Sequence, residues 1–452
     1  MNTLKKPNIK NLPDGYDIKW NPITSRWQMY CIKGFSEKYL SKNKDKFVPK
    51  SSVTKAKVGG KKGKNESMLD AKRIGYDEFY TRKEDIAEEV KHYKDYFKGK
   101  TVYCPCDKAY NLGMSNFFVF FATYFKELGI EKLICTQYNP EGQGTVKTLT
   151  MCTVSELESR GIKWEWSGEN GGDKLPDESE IPINFLMGDG SFDSDECQKI
   201  MRGQNGDGKD VIVCTNPPFS KWKEFIKQIM DSGCGFLVLS NQSAITYKET
   251  FQYIMDNKIW LGYKPLGSEM FFHITDEYKE EIVKKKKEGS GWKVIDGEIM
   301  ARVAVACWFT NLSNEKRTNE LYLSETYNGN EENYPNVVNM ENCIDIGHWK
   351  KNGKWEGKLD MIPKDYPHIM AVPITFLGKY NPEQFEIVGC PDADVLPDGW
   401  EGMPQWFIDA YYEQGNTGTY KKGNRLDGFV KDEKAVVAFK RLLIKNKKIN
   451  LN

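Results

Sequence analysis

Apolar residues recur with two periods along this chain, and the switches between them mark its elements. Two strand-like runs, Tyr16-Asp17-Ile18-Lys19-Trp20 and Trp27-Gln28-Met29-Tyr30-Cys31-Ile32, flank a turn-rich spacer, Asn21 to Arg26. That pattern predicts a hairpin. Residues 41–66 are rich in Lys, Gly and Ser and read as a linker. From about residue 76 helical and strand patterns alternate. A helix is expected over 85–97, stopped near Gly99, and a short strand over 100–104. Ser115 can cap a helix whose body, 117–128, is apolar nearly all round and so should be buried. Gly129 closes it, and 132–136 is the next strand. Residues 139–180 are polar and Gly-rich, which reads as an insertion or a long loop. Strands follow at 183–187 and 211–214. A helix at 221–230 carries Trp222, Phe225, Ile226 and Ile229 on one face. A strand at 235–239, a helix at 247–255 and strands at 259–261 and 302–309 complete the alternation.

Such alternation implies an α/β fold with a doubly wound, mainly parallel sheet. Ligands of such sheets sit at the carboxyl ends of the strands. After residue 312 the alternation fades into an irregular α+β region. The expected organisation is a small β-rich module at 1–40, a basic linker at 41–70, a catalytic domain at 71–312 and a separate region at 313–452.

Composition narrows the class. Hydrophobic residues are 39% and charged residues 29% of 452, as in an ordinary globular protein. No apolar run is long enough to span a membrane, and residues 1–10 lack the apolar core of a signal peptide. A cytoplasmic protein is the expectation. The net charge is only +1, yet lysines cluster at 42–64, at 284–287 and in the last thirty residues. Such patches can contact phosphate, and they can equally be solvated loops. The 11 cysteines form no CxxC pair, and Cys104-Pro105-Cys106 is half a metal site at best. Buried thiols and no metal are expected.

The most informative stretch is Asp210-Val211-Ile212-Val213-Cys214-Thr215-Asn216-Pro217-Pro218-Phe219-Ser220. A buried strand runs into Asn-Pro-Pro-Phe, and a helix is expected from Ser220. The tetrapeptide suits an amine that is a poor nucleophile because its lone pair is delocalised into a purine ring. The Asn216 amide oxygen and the Pro217 carbonyl can each accept one amine hydrogen. That draws the nitrogen toward a tetrahedral state and frees its lone pair. Pro217 and Pro218 fix the backbone and aim the carbonyl. Phe219 offers a face on which a base can stack. With an activated methyl donor, positioning and electrostatics supply most of the catalysis. The competing reading is a proline-stabilised turn.

These motifs resemble the EcoRI-type adenine-specific DNA methyltransferases. The resemblance runs from about Tyr76 to Lys445. It is carried by Asp77-Glu78-Phe79-Tyr80-Thr81, Val102 to Asp107, Ser115-Asn116-Phe117-Phe118, Thr215 to Ser220, Ala244 to Glu249 and Trp308 to Leu312. Val372-Pro373-Ile374-Thr375-Phe376-Leu377, Asn381 to Ile387 and Arg441-Leu442-Leu443-Ile444 extend it. It implies a Rossmann-like class I methyltransferase fold, S-adenosylmethionine as cofactor, double-stranded DNA as partner and target recognition toward the C-terminus. The implied reaction is methylation of the adenine 6-amino group after base flipping, in restriction-modification or phage DNA self-protection. A cognate restriction endonuclease would share the recognition sequence without a stable complex. The implied cofactor residues are Phe79 and Thr81 at the methionine end, Cys106 and Asp107 beside the first strand, and Asp189 at the adenine amine. By their residue types alone, Phe79 could be a core aromatic, Asp107 a cap and Asp189 a turn residue.

Two features depart from the family pattern. No Gly-rich turn follows the first strand, where only Gly113 is available. The second strand ends in Gln137-Tyr138 instead of an acid for the ribose hydroxyls, with Glu141 near. Rival readings are a methyltransferase acting on RNA or a protein glutamine, and a non-catalytic DNA-binding homologue. Residues 1–66 lie outside the resemblance, as a DNA-contacting module or a stabilising appendage.

Overall fold

The alternating segments assemble into one large sheet with helices on both of its faces. The structure is a computed structural model. It describes residues 16–21, 26–31, 80–107, 115–138, 161–168, 175, 183–303, 305–400, 402–417, 428–437 and 440–449. Contacts divide the chain into two units, Met1–Gly63 and Lys64–Asn452. In the first, β1 (Tyr16–Asn21) and β2 (Arg26–Cys31) form the expected antiparallel hairpin, with Trp20 opposite Trp27.

In the second unit, the main sheet has eight strands. Its centre is β4 (Thr101–Pro105), β5 (Lys132–Gln137), β8 (Val211–Thr215) and β9 (Gly235–Asn241), paired in parallel as β9-β8-β4-β5. One flank adds β14 (Ala306–Thr310) and β10 (Trp260–Leu261), the other β6 (Ile162–Trp166) and β7 (Ile183–Phe185). All four flanking pairings are antiparallel. The sheet is therefore mixed, and the expected mainly parallel pairing holds only at its centre. On one flank β14 runs against β9, and on the other the reason is β6, which lies where the sequence reads as a loop. Its buried Ile162, Trp164 and Trp166 alternate with half-buried Lys163 and Glu165, a period-two strand pattern.

The central strands are buried along their whole length because both faces are covered. Tyr103, Val211, Val213, Phe236 and Val238 face one apolar cluster. Val102, Cys104, Ile212, Cys214, Leu237 and Leu239 face the other. On the first side pack α4 (Trp222–Ser232) and α5 (Lys248–Met255), and α3 (Asp195–Arg202) contributes Met201. On the second pack α1 (Lys83–Val90) and α2 (Asn116–Thr123). As expected, α2 is buried nearly all round, and the Ser115 hydroxyl accepts from the Phe117 N–H at its start (3.1 Å). The expected Ser220 start is corrected. A 3-10 turn, Phe219–Lys221, precedes α4, and α4 has no side-chain cap.

Two smaller four-stranded sheets complete the second unit. One orders β12 (Trp292–Ile295), β13 (Glu298–Arg302), β11 (Phe271–His273) and β3 (Tyr80–Thr81). It is flanked by α6 (Asp276–Lys285), whose Tyr278 and Ile282 join the second cluster. The other orders β15 (Cys343–Asp345), β18 (Ile369–Pro373), β22 (Arg441–Asn446) and β19 (Phe385–Gly389). Its Val372, Phe385, Leu442 and Ile444 belong to the same apolar cluster as Phe251 and Ile254 of α5. Beside it lie α7 (Gln405–Glu413) and two hairpins, β16 (His348–Trp349) with β17 (Trp355–Glu356) and β20 (Phe429–Lys431) with β21 (Lys434–Val436). No helix among the described residues is long and apolar enough to cross a membrane.

One charge pair is central to that last sheet. Arg441, 2% exposed, donates from Nε and Nη2 to the Asp345 carboxylate (2.7 and 3.0 Å). The Trp355 indole N–H donates to the same group (2.7 Å). Burial raises the Asp345 carboxyl against the pull of Arg441. Removing one partner leaves a buried charge alone, so Arg441→Met should cost about 3–5 kcal/mol in urea unfolding. Replacing both, with Asp345→Leu, should recover most of that loss.

Candidate active site

The carboxyl ends of β8, β4 and β5 meet at one edge of the main sheet. At β8, Val211 to Cys214 are buried and deliver Thr215, also buried, to that edge. The next residues are the half-buried Asn216, the buried Pro217 and the half-buried Pro218 and Phe219. Phe219 packs against the second apolar cluster. The tetrapeptide therefore leaves the strand where the sequence places it.

At β4, the chain turns through Cys106, whose φ of 66° is unusual for a residue with a side chain. That turn brings Asp107 over the strand ends, where its N–H donates to the Thr136 carbonyl of β5 (3.2 Å). The Ser115 hydroxyl donates to Asp107 Oδ1 (2.5 Å). Thr215 Oγ1 lies 2.7 Å from Asp107 Oδ2 and 2.5 Å from the Pro105 carbonyl oxygen. One carboxyl thus links the first strand, the start of α2 and the residue just before Asn216. Burial pushes this carboxyl up to about 7, and the two hydroxyls only partly offset that.

Thr81 reaches the same neighbourhood through α2. The Asn116 amide donates to the Thr81 carbonyl (2.8 Å). Thr81 is buried, and its Oγ1 has no hydrogen-bond partner among the described residues. A buried hydroxyl without a partner is costly, so a polar ligand atom beside it would be favoured.

Asp189 follows β7 on the far side of β5. The Gly161 N–H donates to the Gly188 carbonyl (2.7 Å). A Cβ on Gly190 would lie 2.3 Å from the Gln137 carbonyl oxygen, so only glycine allows this approach. The Asp189 carboxylate accepts from the Ser191 N–H (2.9 Å), the contact of a turn residue.

The structure thus brings Cys106, Asp107 and β8, whose last residue Thr215 precedes Asn216, together, ties Thr81 to α2 and sets Asp189 beside the end of β5. Phe79, Gly113 and Glu141 lie outside the described residues. Sequence reasoning had Ser115 as a cap and Thr215 as a strand end. It missed that both hold Asp107, because their contacts span 8 and 108 positions along the chain. Asn116 was likewise unassigned, and no local pattern marks it. Among the described residues no group of three or more metal-ligating side chains assembles.

Comparison with known proteins gives a family. Residues 67–447 match the family described as adenine-specific methyltransferase EcoRI. The type II methyltransferase M.EcoRI of Escherichia coli is 35% identical over 339 residues, covering 74% of this chain and 93% of that protein. The type II methyltransferase M.MpnI of Mycoplasma pneumoniae is 32% identical, covering 71% of this chain and 84% of its own length. The type II methyltransferase M.MgeORF184P of Mycoplasma genitalium is 31% identical with the same coverages. No solved structure matches.

The raised Asp107 carboxyl has a consequence for stability. The folded protein holds this proton to higher pH than the unfolded chain does. Its contribution to stability therefore falls as pH rises from about 4 to about 7 and levels off above. Asp107→Asn removes that fall. The variant should gain on the native protein, by an amount on the order of a few kcal/mol, between the acidic and neutral ends of that window. Chemical denaturation at several pH values measures the difference, and parallel curves would contradict it.

Proposed function

The chain belongs to the adenine-specific EcoRI methyltransferase family and is a site-specific DNA methyltransferase; within that activity, we propose that Asn216, Pro217, Pro218 and Phe219 hold the target adenine. Like its type II relatives, it methylates adenine in DNA within a restriction-modification setting. The observation that carries the assignment of residues is the intact tetrapeptide at the end of β8, anchored through Thr215 to Asp107.

The Asn216 side-chain oxygen and the Pro217 carbonyl accept the two hydrogens of the 6-amino group. Both lie on a backbone stiffened by Pro217 and Pro218, so the acceptors are placed before the base arrives. Phe219 stacks on the extruded base, which must leave the duplex to reach this edge. No strong general base is required, because the methylated nitrogen becomes acidic as it gains its new bond.

S-adenosylmethionine is the proposed cofactor, and it supplies a methyl group already activated by a positive sulfur. The residues present fit it. Thr81 offers a buried hydroxyl that lacks a partner among the described residues, and Asp107 offers a carboxyl at the strand edge. Phe79 and Thr81 would hold the methionine end, Cys106 and Asp107 would lie beside the cofactor at the end of the first strand, and Asp189 would hold the adenine. The sheet with helices on both faces supports a Rossmann-like class I reading. Its antiparallel β6 takes a place that a parallel strand would fill in a fully wound sheet.

Residues 71–312 then form the catalytic domain, and 313–452 recognise the DNA target. A cleft of about 790 Å³ supports the second assignment. Tyr334, Trp349, Trp355 and Lys431 line it together with Glu331 and Glu332, and the hairpin that carries the two tryptophans exposes Lys351 and Lys354, with Lys350 paired to Glu356. Aromatic faces and lysines suit bases and phosphates. Residues 1–40 on their basic linker, 41–70, are a further DNA contact or an appendage. The proposed setting is the cytoplasm of a bacterium or a phage-infected host, with an endonuclease sharing the recognition sequence.

Transfer of tritiated methyl groups to DNA, RNA and protein pools tests the substrate, and uptake is expected in DNA alone. Asn216→Ala should lower transfer by roughly a hundredfold or more, the usual scale for deleting one transition-state hydrogen bond. Cofactor affinity, read by calorimetry, should stay nearly unchanged. Substantial residual transfer would contradict the role given to that amide.

A further inference from the structure

Two lysines from distant parts of the chain flank one short stretch at the carboxyl edge of the main sheet. The stretch is the 3-10 turn Gln242–Thr246 with Tyr247 after it. It follows β9 directly, and β9 runs parallel to β8, so it opens at the same edge as Asn216 to Phe219. On one side lies Lys223, exposed on the first turn of α4, a few residues past the tetrapeptide. Its ammonium sits over the Tyr247 ring, 5.3 Å from the centroid. On the other side lies Lys440, just ahead of β22. Its ammonium donates to Thr246 Oγ1 (3.0 Å). The Thr246 hydroxyl spends its own hydrogen on the Ser243 carbonyl (2.9 Å), which leaves its oxygen to accept. The Lys440 backbone is held as well, because its carbonyl accepts from the Ile374 N–H at the end of β18 (3.2 Å).

Both cations are held in place without being neutralised. Lys440 is exposed and forms no ion pair among the described residues. An ammonium carries three donors, and Thr246 takes only one. The Asp392 carboxyl feels the Lys440 charge without forming an ion pair with it. Lys223 pairs with Glu249 at 3.5 Å, but both side chains are more than half exposed, and such a pair is worth little. Other exposed lysines are occupied differently. Lys227, Lys284 and Lys285 each meet a carboxylate one turn away on their own helix.

We propose that Lys223 and Lys440 hold the phosphates of the target strand beside the extruded adenine, with Tyr247 and Thr246 as their rests. This goes beyond the adenine-holding role proposed for Asn216 to Phe219 and rests on it. An extruded nucleotide stays joined to its strand through the phosphates on either side. Those phosphates must lie at the mouth through which the base enters, and the tetrapeptide places that mouth at the ends of β8 and β9. An ammonium resting on a ring face or a neutral hydroxyl can take up a phosphate without first breaking a strong ion pair. Lysine meets phosphate as a point charge and reads no base. Lys223 and Lys440 are therefore positioning residues, which act on the strand and leave the choice of sequence to other groups. Glu249 opposes them, since it competes for Lys223 and repels a phosphate.

Fluorescence anisotropy over a salt series tests this, with the full chain and two labelled duplexes, one that the protein methylates and one that it does not. Lys223→Gln and Lys440→Gln should each weaken binding to both duplexes and lower the slope of log affinity against log salt by about 0.9, the increment for one phosphate contact. The double variant should lose both increments, and Lys→Arg at either position should restore the slope. Glu249→Gln should tighten binding severalfold at low salt. Lys94→Gln, which breaks an exposed pair with Glu127 ahead of β4 and β5, should leave the slope unchanged. Cofactor affinity should hold in every variant. Poorer folding reduces the active fraction and leaves the slope alone, so a structural effect does not mimic the result. Unchanged slopes in both Gln variants would overturn the proposal, as would weakening confined to one duplex, which marks base reading. If the slopes fall while Asn216→Ala retains full transfer, the phosphate contacts stand and the adenine-holding role fails. If Asn216→Ala loses transfer while the slopes hold, the phosphate contacts alone are wrong.

Discussion

A half-buried carboxyl with a hydroxyl against each of its oxygens ties together the strand ends of the main sheet. Asp107 sits just beyond β4, Ser115 opens α2, and Thr215 ends β8. Ser115 lies eight positions beyond Asp107, whereas Thr215 lies 108 positions away. Each nevertheless ends at the same point, because an enclosed carboxyl cannot be left without partners. The direction of the tetrapeptide follows from this. Thr215 is fixed by Asp107 and by the Pro105 carbonyl, and two prolines leave the chain after it little freedom. The Asn216 amide, proposed to accept one hydrogen of a base, is thereby set on a stiff support. A carboxylate in water would not give this precision, since its partners would exchange with solvent.

The sheet around this edge is arranged to protect it. The four parallel strands lie at the centre, buried on both faces, and antiparallel strands close each side. The edge strands β10 and β7 are short, at two and three residues, which limits the unpaired backbone they present. Glu89 of α1 performs a related duty at the flank. Its buried carboxylate accepts from the backbone N–H groups of Tyr263 and Lys264 and from the Tyr93 hydroxyl. Asn314 then donates to Tyr93 (3.0 Å), so the segment that leaves β14 is tied to the same helix. Hydrogen-bonded carboxyls recur as the fastenings of this fold, buried at Glu89 and Asp345 and half-buried at Asp107.

Much of the architecture was legible from local pattern. The strands at β4, β5, β8 and β9 are apolar and carry β-branched residues, and the helix α4 shows its one-sided apolar face. Ser115 read as a cap and is one. The tetrapeptide was legible because proline restricts its own backbone and needs no partner to do so. β6 was overlooked although its alternation is plain, because it lies in a polar, Gly-rich surround. That single strand changed the pairing of one flank from parallel to antiparallel.

The sequence by itself determined the alternation of helices and strands, the family and the proline-stiffened segment from Asn216 to Phe219 for which the catalytic role is proposed. These rest on periodicity and on stiff residues, which act within a few positions of the chain. Tertiary structure alone decided which hydroxyls meet the Asp107 carboxyl. It also decided the mixed sheet and the Asp345–Arg441 pair, whose members lie 96 positions apart. Hydrogen bonds and desolvation depend on distances between segments brought together by folding, and no spacing along the chain encodes those distances.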